Sequence, residues 1–179
     1  MTVTLETTRL ALRQPRVDDF AGFAAMYEEE RSRYIGGPLP RRASGRTFGD
    51  MAGQWMLRGY GSFVLTRKDD GAVIGSCGLW HPVHWPECEF GWTLWSGDHE
   101  GQGFITEAME TILPWAWAQV PYDTLVSYID APNAASAAVA QRLGATLDAE
   151  TTREINAPGG FYAHLEDVDV QVWRHRRHA

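Results

Sequence analysis

A chain of 179 residues has the size of one domain and can bury most of its unfolded surface without cross-links. Its 16 basic and 23 acidic side chains leave a net charge of −7, which speaks against a nucleic-acid partner and suits a cationic one. Cys77 and Cys88 are too few for a secreted disulfide framework, no run reaches the roughly 20 apolar residues of a membrane span, and residues 1–10 hold no apolar signal core, so a reduced, soluble cytoplasmic protein is expected.

In chain order, residues 5–13 predict a first strand, and Asp18 then caps a helix whose apolar side shows Phe20, Phe23, Ala24 and Tyr27. Residues 34–42, with Gly36-Gly37-Pro38 and Pro40, read as a loop before a second helix over 44–58. Residues 60–67 alternate as a strand, Lys68-Asp69-Asp70-Gly71 is a hairpin turn with Gly71 at positive φ, and 72–80 is the return strand. An aromatic and imidazole-rich connection, 81–86, follows.

Residues 88–94 have the length and aromatic content of a buried strand. A polar link, 95–100, leads to Gly101-Gln102-Gly103-Phe104-Ile105-Thr106 and a helix with Ile105, Met109, Ile112, Leu113 and Ala116 on one face. Pro114 inside it removes one N–H and crowds the Glu110 carbonyl, which predicts a kink. A strand over 124–130 precedes Asn133, an N-cap residue, and a small-residue helix over 134–143 closed by Gly144. Beyond it a strand over 145–154, a turn at Asn156-Ala157-Pro158-Gly159-Gly160 and a last strand over 161–174 are predicted. The basic end from Arg174 to His178 reads as a solvated tail. Helices around an otherwise antiparallel run with one central βαβ unit give an α/β mixed sheet.

The glycine turn offers unpaired backbone N–H groups at the positive end of a helix, a setting for an anionic phosphate. No Gly-Lys-Ser/Thr ending follows Gly103, which excludes a Walker loop, and Thr106 stands where the dinucleotide fingerprint needs a third glycine.

The same turn resembles motif A of the GNAT superfamily of acyl-CoA-dependent N-acetyltransferases. Glu89-Phe90-Gly91-Trp92 before it, Gly103-Phe104-Ile105-Thr106-Glu107-Ala108 within it, Asn133-Ala134-Ala135-Ser136 after it and Thr8-Arg9-Leu10-Ala11-Leu12-Arg13 near the start are similar to the branch that acetylates N-termini of ribosomal proteins. Two positions depart from the pattern: Glu100 replaces a Gln, Arg or Trp, and Ile105 replaces a Gly or Ala. The resemblance implies one acyl-CoA N-acyltransferase domain over 1–179, with a GNAT-like, mostly antiparallel sheet around a βαβ unit that binds acyl-CoA.

It also implies roles. The amides of Gly101, Gln102, Gly103, Phe104, Ile105 and Thr106 would hold the pyrophosphate of acetyl-CoA. Trp92, Thr93 and Leu94 would form the rail for pantetheine, on a strand that splays from its neighbour, with Asn133 as a further contact. Glu89 falls in the acceptor channel, where burial would raise its pKa and make it a general base; His81 and His84 compete for that role. Ser136 is the family-matched group for protonating the departing sulfur, whereas Tyr128 is not aligned with that role.

Tyr34, Trp80, His81, His84 and Trp85 are candidates for an acceptor wall able to make cation–π contact with an ammonium; packing under a long loop is the alternative. His81-x-x-His84 with Cys88 lacks a fourth ligand, so no metal is expected. The activity implied is transfer of acetyl from acetyl-CoA to a primary amine, a protein N-terminus or small amine such as an aminoglycoside, by direct attack in a ternary complex. The alternative is a non-catalytic acyl-CoA-binding or sensing module. A monomer and a homodimer are equally compatible with the sequence.

Overall fold

The computed structural model describes residues 3–165 and 168–177. Eight strands form one sheet: β1 (Thr4–Glu6), β2 (Leu10–Arg13), β3 (Ser62–Arg67), β4 (Val73–Trp80), β5 (Glu89–Leu94), β6 (Thr124–Asp130), β7 (Thr146–Leu147) and β8 (Val170–Arg176). Their order is β1-β2-β3-β4-β5-β6-β8-β7, and every neighbouring pair is antiparallel except β5 and β6. Among the described residues five α-helices flank it: α1 (Phe20–Glu28), α2 (Arg41–Arg58), α3 (Phe104–Gln119), α4 (Ala134–Arg142) and α5 (Ala149–Asn156). This is the expected α/β mixed sheet, with β5–α3–β6 as its parallel crossover.

Alternation along β3 shows how the two faces are filled. Phe63 and Leu65 point into the cluster that receives Ile105, Ala108, Met109, Ile112 and Ala116 of α3. Val64 points the other way, to Phe23, Met26 and Tyr27 of α1 and Met51 of α2. The stripe on α3 is therefore the one its periodicity predicted, and Ile105 is spent on the core. Helix α3 runs unbroken through Pro114. Pro114 and Glu110 both lie on its exposed side, where water can take the carbonyl the proline leaves unpaired.

Several predicted elements differ. The first strand is two short strands, β1 and β2, paired as a hairpin with register Leu5↔Leu12. Asp18 does not cap α1: Asp19 sits at the N-cap position, and its carboxylate instead accepts from Arg13 (2.6 and 2.7 Å) and from the Arg16 amide (2.7 Å). Helix α2 starts at Arg41, directly after Pro40, and part of the predicted loop before it is a short 3-10 turn, Glu30–Ile35.

The strand expected over 145–154 is β7 followed by helix α5. Asp148 nucleates that helix by accepting from the Thr151 amide at 3.1 Å. The last strand begins only at Val170, and residues 157–165 form turns instead. The basic end is also not a solvated tail through its described part. His175 is 2% exposed within β8, and Arg174 bonds Asp148 at 2.6 Å and Glu87 at 2.8 and 3.1 Å. His178 lies outside the described residues. Among the described residues no helix is long and apolar enough to cross a membrane.

Candidate active site

The parallel pair β5–β6 has a single register pair, Glu89↔Val126, anchored by the Val126 amide donating to Cys88 O at 3.2 Å. Beyond that rung the strands part, as expected for the rail, and a cleft of about 580 Å³ opens between them. Gly91, Trp92 and Thr93 of β5, Tyr128 and Asp130 of β6, and Asn133 and Ser136 of α4 line it. Its far wall comes from α1, α2 and the turn after α1, through Tyr27, Asp50 and Tyr34.

At the base of the fork lies Glu89, half-buried. Its Oε2 accepts from the Trp85 indole N–H at 2.8 Å, and the Tyr128 amide faces the same carboxylate. Removal from water outweighs both donors and pushes the Glu89 pKa up to about 7. An aromatic shell explains that loss of water. Trp85 packs edge-on against Trp80, Tyr128, Phe161 and Tyr162, with centroids 5.1–6.5 Å apart. The hydroxyls of Tyr27, Tyr128 and Tyr162 are all pushed above their ordinary range, by burial first and then by the charge of Glu89 or its acidic neighbours.

Of the predicted acceptor wall, Tyr34, Trp80, His84 and Trp85 do line this cleft, and His81 does not. His81 faces a second cavity of about 320 Å³ with Glu87, Cys88, Tyr122 and Asp123. Its amide donates to Gln54 Oε1 at 2.5 Å, its Nδ1 lies 3.3 Å from the Tyr60 hydroxyl, and burial lowers its pKa. His81 therefore lies outside the cleft that holds Glu89. Cys88 borders the second cavity too, and burial raises its thiol pKa to about 12. Among the described residues no three His, Cys, Asp or Glu side chains gather closely enough to hold a metal ion.

The mouth of α3 is built by two left-handed glycines, Gly101 (φ 71°) and Gly103 (φ 76°), the second at the N-cap. The first amide to find a partner in the helix is that of Glu107, which donates to Gly103 O at 3.0 Å. Among the described residues the amides of Phe104, Ile105 and Thr106 donate to nothing, so the mouth presents bare N–H groups. Gln102 steadies the turn by donating to Asp98 O at 2.6 Å. Leu94, at the end of β5, packs into the main core below.

Glu100, the first departure from the family pattern, is turned outward and 63% exposed, with Oε1 2.5 Å from Arg31 Nη2. Its charge is thus paired with a cation. Arg9 borders the mouth instead: it spans Glu107 (2.5 Å) and Gln102 O (3.0 Å) and stacks over Phe104 at 4.3 Å. At α4, Asn133 Oδ1 accepts from the Ser136 amide at 3.2 Å, the predicted cap.

Tyr162 and Ser127 were not foreseen. Tyr162 arrives on the turn after α5, a segment that reads as strand. Ser127 carried no signal beyond its place inside an apolar strand.

Residues 9–146 match the model of the acetyltransferase (GNAT) domain. An acetyltransferase from Agrobacterium tumefaciens is 34% identical, with a TM-score of 0.82 over 98% of this chain and 95% of that one. RimL, a ribosomal-protein alpha-N-acetyltransferase solved with coenzyme A, is 16% identical with a TM-score of 0.74 over 97% and 98% of the two chains. The microcin self-immunity acetyltransferase MccE, solved with acetyl-CoA and AMP, is 13% identical with a TM-score of 0.69 over 95% and 93%. The last two likenesses are of fold.

Proposed function

The chain belongs to the GNAT acetyltransferase family, and is an N-acetyltransferase that takes acetyl-CoA as co-substrate; on that premise we propose that it acetylates a primary amine, a protein N-terminus or small amine, by direct attack within one ternary complex. The observation that carries this is Glu89: a carboxyl titrating near 7 at the bottom of an aromatic cleft, where β5 parts from β6.

Acetyl-CoA supplies an acetyl thioester when bound. The bare amides of the 101–106 turn suit its pyrophosphate, and the parted edge of Trp92, Thr93 and Leu94, with Asn133 facing it across the cleft, suits the amides of its pantetheine arm. No Gly or Ala is needed at Ile105, because only its backbone N–H faces the mouth.

Tyr34, Trp80, His84 and Trp85 receive the acceptor, and Glu89, Asp50 and Asp130 give the cleft an acidic lining that favours an ammonium. An α-amine titrates near 8, so Glu89 near 7 is matched to take its proton at neutral pH, directly or through a water. As the N–C bond forms and the C–S bond breaks, the Ser136 hydroxyl hydrogen-bonds the departing sulfur and relays a proton to it. Cys88 makes no covalent intermediate, since its thiol stays protonated.

The RimL name, an alpha-N-acetyltransferase of a ribosomal protein, supports an N-terminal acceptor on this fold. The test is free-thiol release from acetyl-CoA with a panel of peptides and small amines. Thiol release that depends on one acceptor class supports the proposal. Tight CoA binding in calorimetry with no thiol from any acceptor would replace it with the sensing module.

A further inference from the structure

A continued parallel ladder would follow the Glu89↔Val126 rung with a Gly91↔Tyr128 rung, in which the Phe90 carbonyl accepts from the Tyr128 amide. That rung is missing. The Phe90 carbonyl is satisfied instead by a side chain: Ser127 Oγ donates to it at 2.6 Å. Ser127 is itself 2% exposed, and its oxygen lies 3.0 Å from His175 Nε2 on β8.

Because the Ser127 proton goes to Phe90, its oxygen must accept from His175, which assigns the imidazole proton to Nε2. His175 Nδ1 is then a buried acceptor without a partner, and burial holds the ring neutral, with its pKa lowered to about 4. The His175 ring also packs edge-on against Phe90, at 5.5 Å between centroids. A serine, itself held by a histidine, thus grips one carbonyl at the point where the strands diverge.

We infer that Ser127 is a positioning residue for acetyl transfer: by capping the Phe90 carbonyl it keeps β5 and β6 from zipping by another rung, and so holds the Tyr128 amide beside the Glu89 carboxylate and the β5 edge open. Two consequences follow from one hydroxyl. Without it, the Phe90 carbonyl is a buried acceptor that recruits the Tyr128 amide, and Glu89 loses a donor to its charged form. The same closure narrows the fork that admits the pantetheine arm. The inference rests on Glu89 acting as base.

The groups around Glu89 leave the Tyr128 amide a clear role. Tyr27 comes from α1, Tyr162 from the turn after α5, Tyr128 and Asp130 from β6, and Glu87 and Cys88 from its own side. None of these brings a positive charge to the carboxylate; Arg33, which lines the cleft with His84, stacks over Tyr34, and Arg174 is held by Glu87 and Asp148. Hydrogen-bond donors therefore hold the charged form.

The experiment compares Ser127→Ala, Ser127→Cys and Ser127→Thr with the wild type. It follows the carboxyl titration of Glu89 by infrared difference spectroscopy, identified by its loss in Glu89→Gln, together with CoA affinity by calorimetry and thermal stability. Ser127→Ala should move the Glu89 titration upward by about one pH unit and weaken CoA by about tenfold. Ser127→Cys, a weak donor of similar size, should fall between, and Ser127→Thr, which keeps the hydroxyl, should restore both readouts. A loss of thermal stability with titration and affinity unmoved would overturn the positioning role. If wild-type activity shows no acid limb that depends on Glu89, the base assignment falls instead; the titration and affinity of the Ser127 variants still judge the fork.

Discussion

The indole N–H of Trp85 donates to Glu89 Oε2 at 2.8 Å, so one aromatic ring both walls the cleft and steadies the charge at its floor. Trp85→Phe keeps most of the wall and removes the donor. The charged carboxylate then loses support, and the acid limb of the pH–rate profile should move about one pH unit upward, with little change at high pH. A profile of kcat/KM between pH 6 and 9 checks this; an unmoved limb would separate Trp85 from the base.

Glu89 should cost stability while serving chemistry. Its folded pKa, about 7, lies above the unfolded value near 4.5, so the folded state binds the extra proton. Stability therefore falls as pH rises from about 4.5 to 7 and stays reduced above. Glu89→Gln should be more stable than the wild type at pH 8, by up to about 3 kcal/mol, and nearly equal to it at pH 4.5. Urea unfolding at the two pH values reads the difference, and a variant less stable at pH 8 would contradict the sign.

The mouth of α3 predicts an asymmetric pair of variants. A Cβ at Gly103 would meet only Arg9 Nη2, at 3.7 Å, so Gly103→Ala has room, yet it must hold φ at 76° and costs on the order of 1 kcal/mol. CoA affinity should fall several-fold as the turn relaxes. Glu100→Gln, at a side chain that points outward to Arg31, should change CoA affinity less than twofold. Calorimetric titration with CoA checks both; a large gain from Glu100→Gln would mean that its carboxylate repels the phosphates.

Asp148 joins two elements, capping α5 while it binds Arg174 of β8 at 2.6 Å. Its pKa is lowered to about 2, chiefly by the hydrogen bonds from Arg174 and Thr151 that outweigh desolvation. Its stabilising contribution is thus present above about pH 4 and lost as pH falls towards 2. Asp148→Ala should cost about 3 kcal/mol at pH 7, combining a lost cap with a half-paired arginine, and Asp148→Asn, which can still cap, should cost clearly less. Denaturant midpoints of the two variants provide the check.

Much of the sheet was legible because its signals are local. The 88–94 strand, the glycine turn and the α3 stripe of Ile105, Met109, Ile112 and Ala116 each follow from spacing, and Asn133 shows its cap in its residue type. The region after Gly144 was not. Helix α5 buries only Ile155 and carries Thr151 and Thr152, so it lacks an apolar stripe and looks β-like; Asp148 three residues before Thr151 was the signal that could have revealed it. Tyr162 reached the cleft only through that misread turn. Glu89 was legible as a carboxylate among apolar neighbours, whereas the direction of His81 depended on tertiary contacts with Gln54 and Tyr60. Ser127 matters through a rung that is missing, and no pattern of residues announces an absent hydrogen bond.

Thiol release from acetyl-CoA, followed against pH for the wild type and Glu89→Gln with one productive amine acceptor, bears most directly on how this cleft works. The wild-type rate should rise through an apparent pKa near 7, and the variant should be slower by about a hundredfold at pH 7 with that limb gone. Superimposable profiles of equal rate would remove Glu89 as the base.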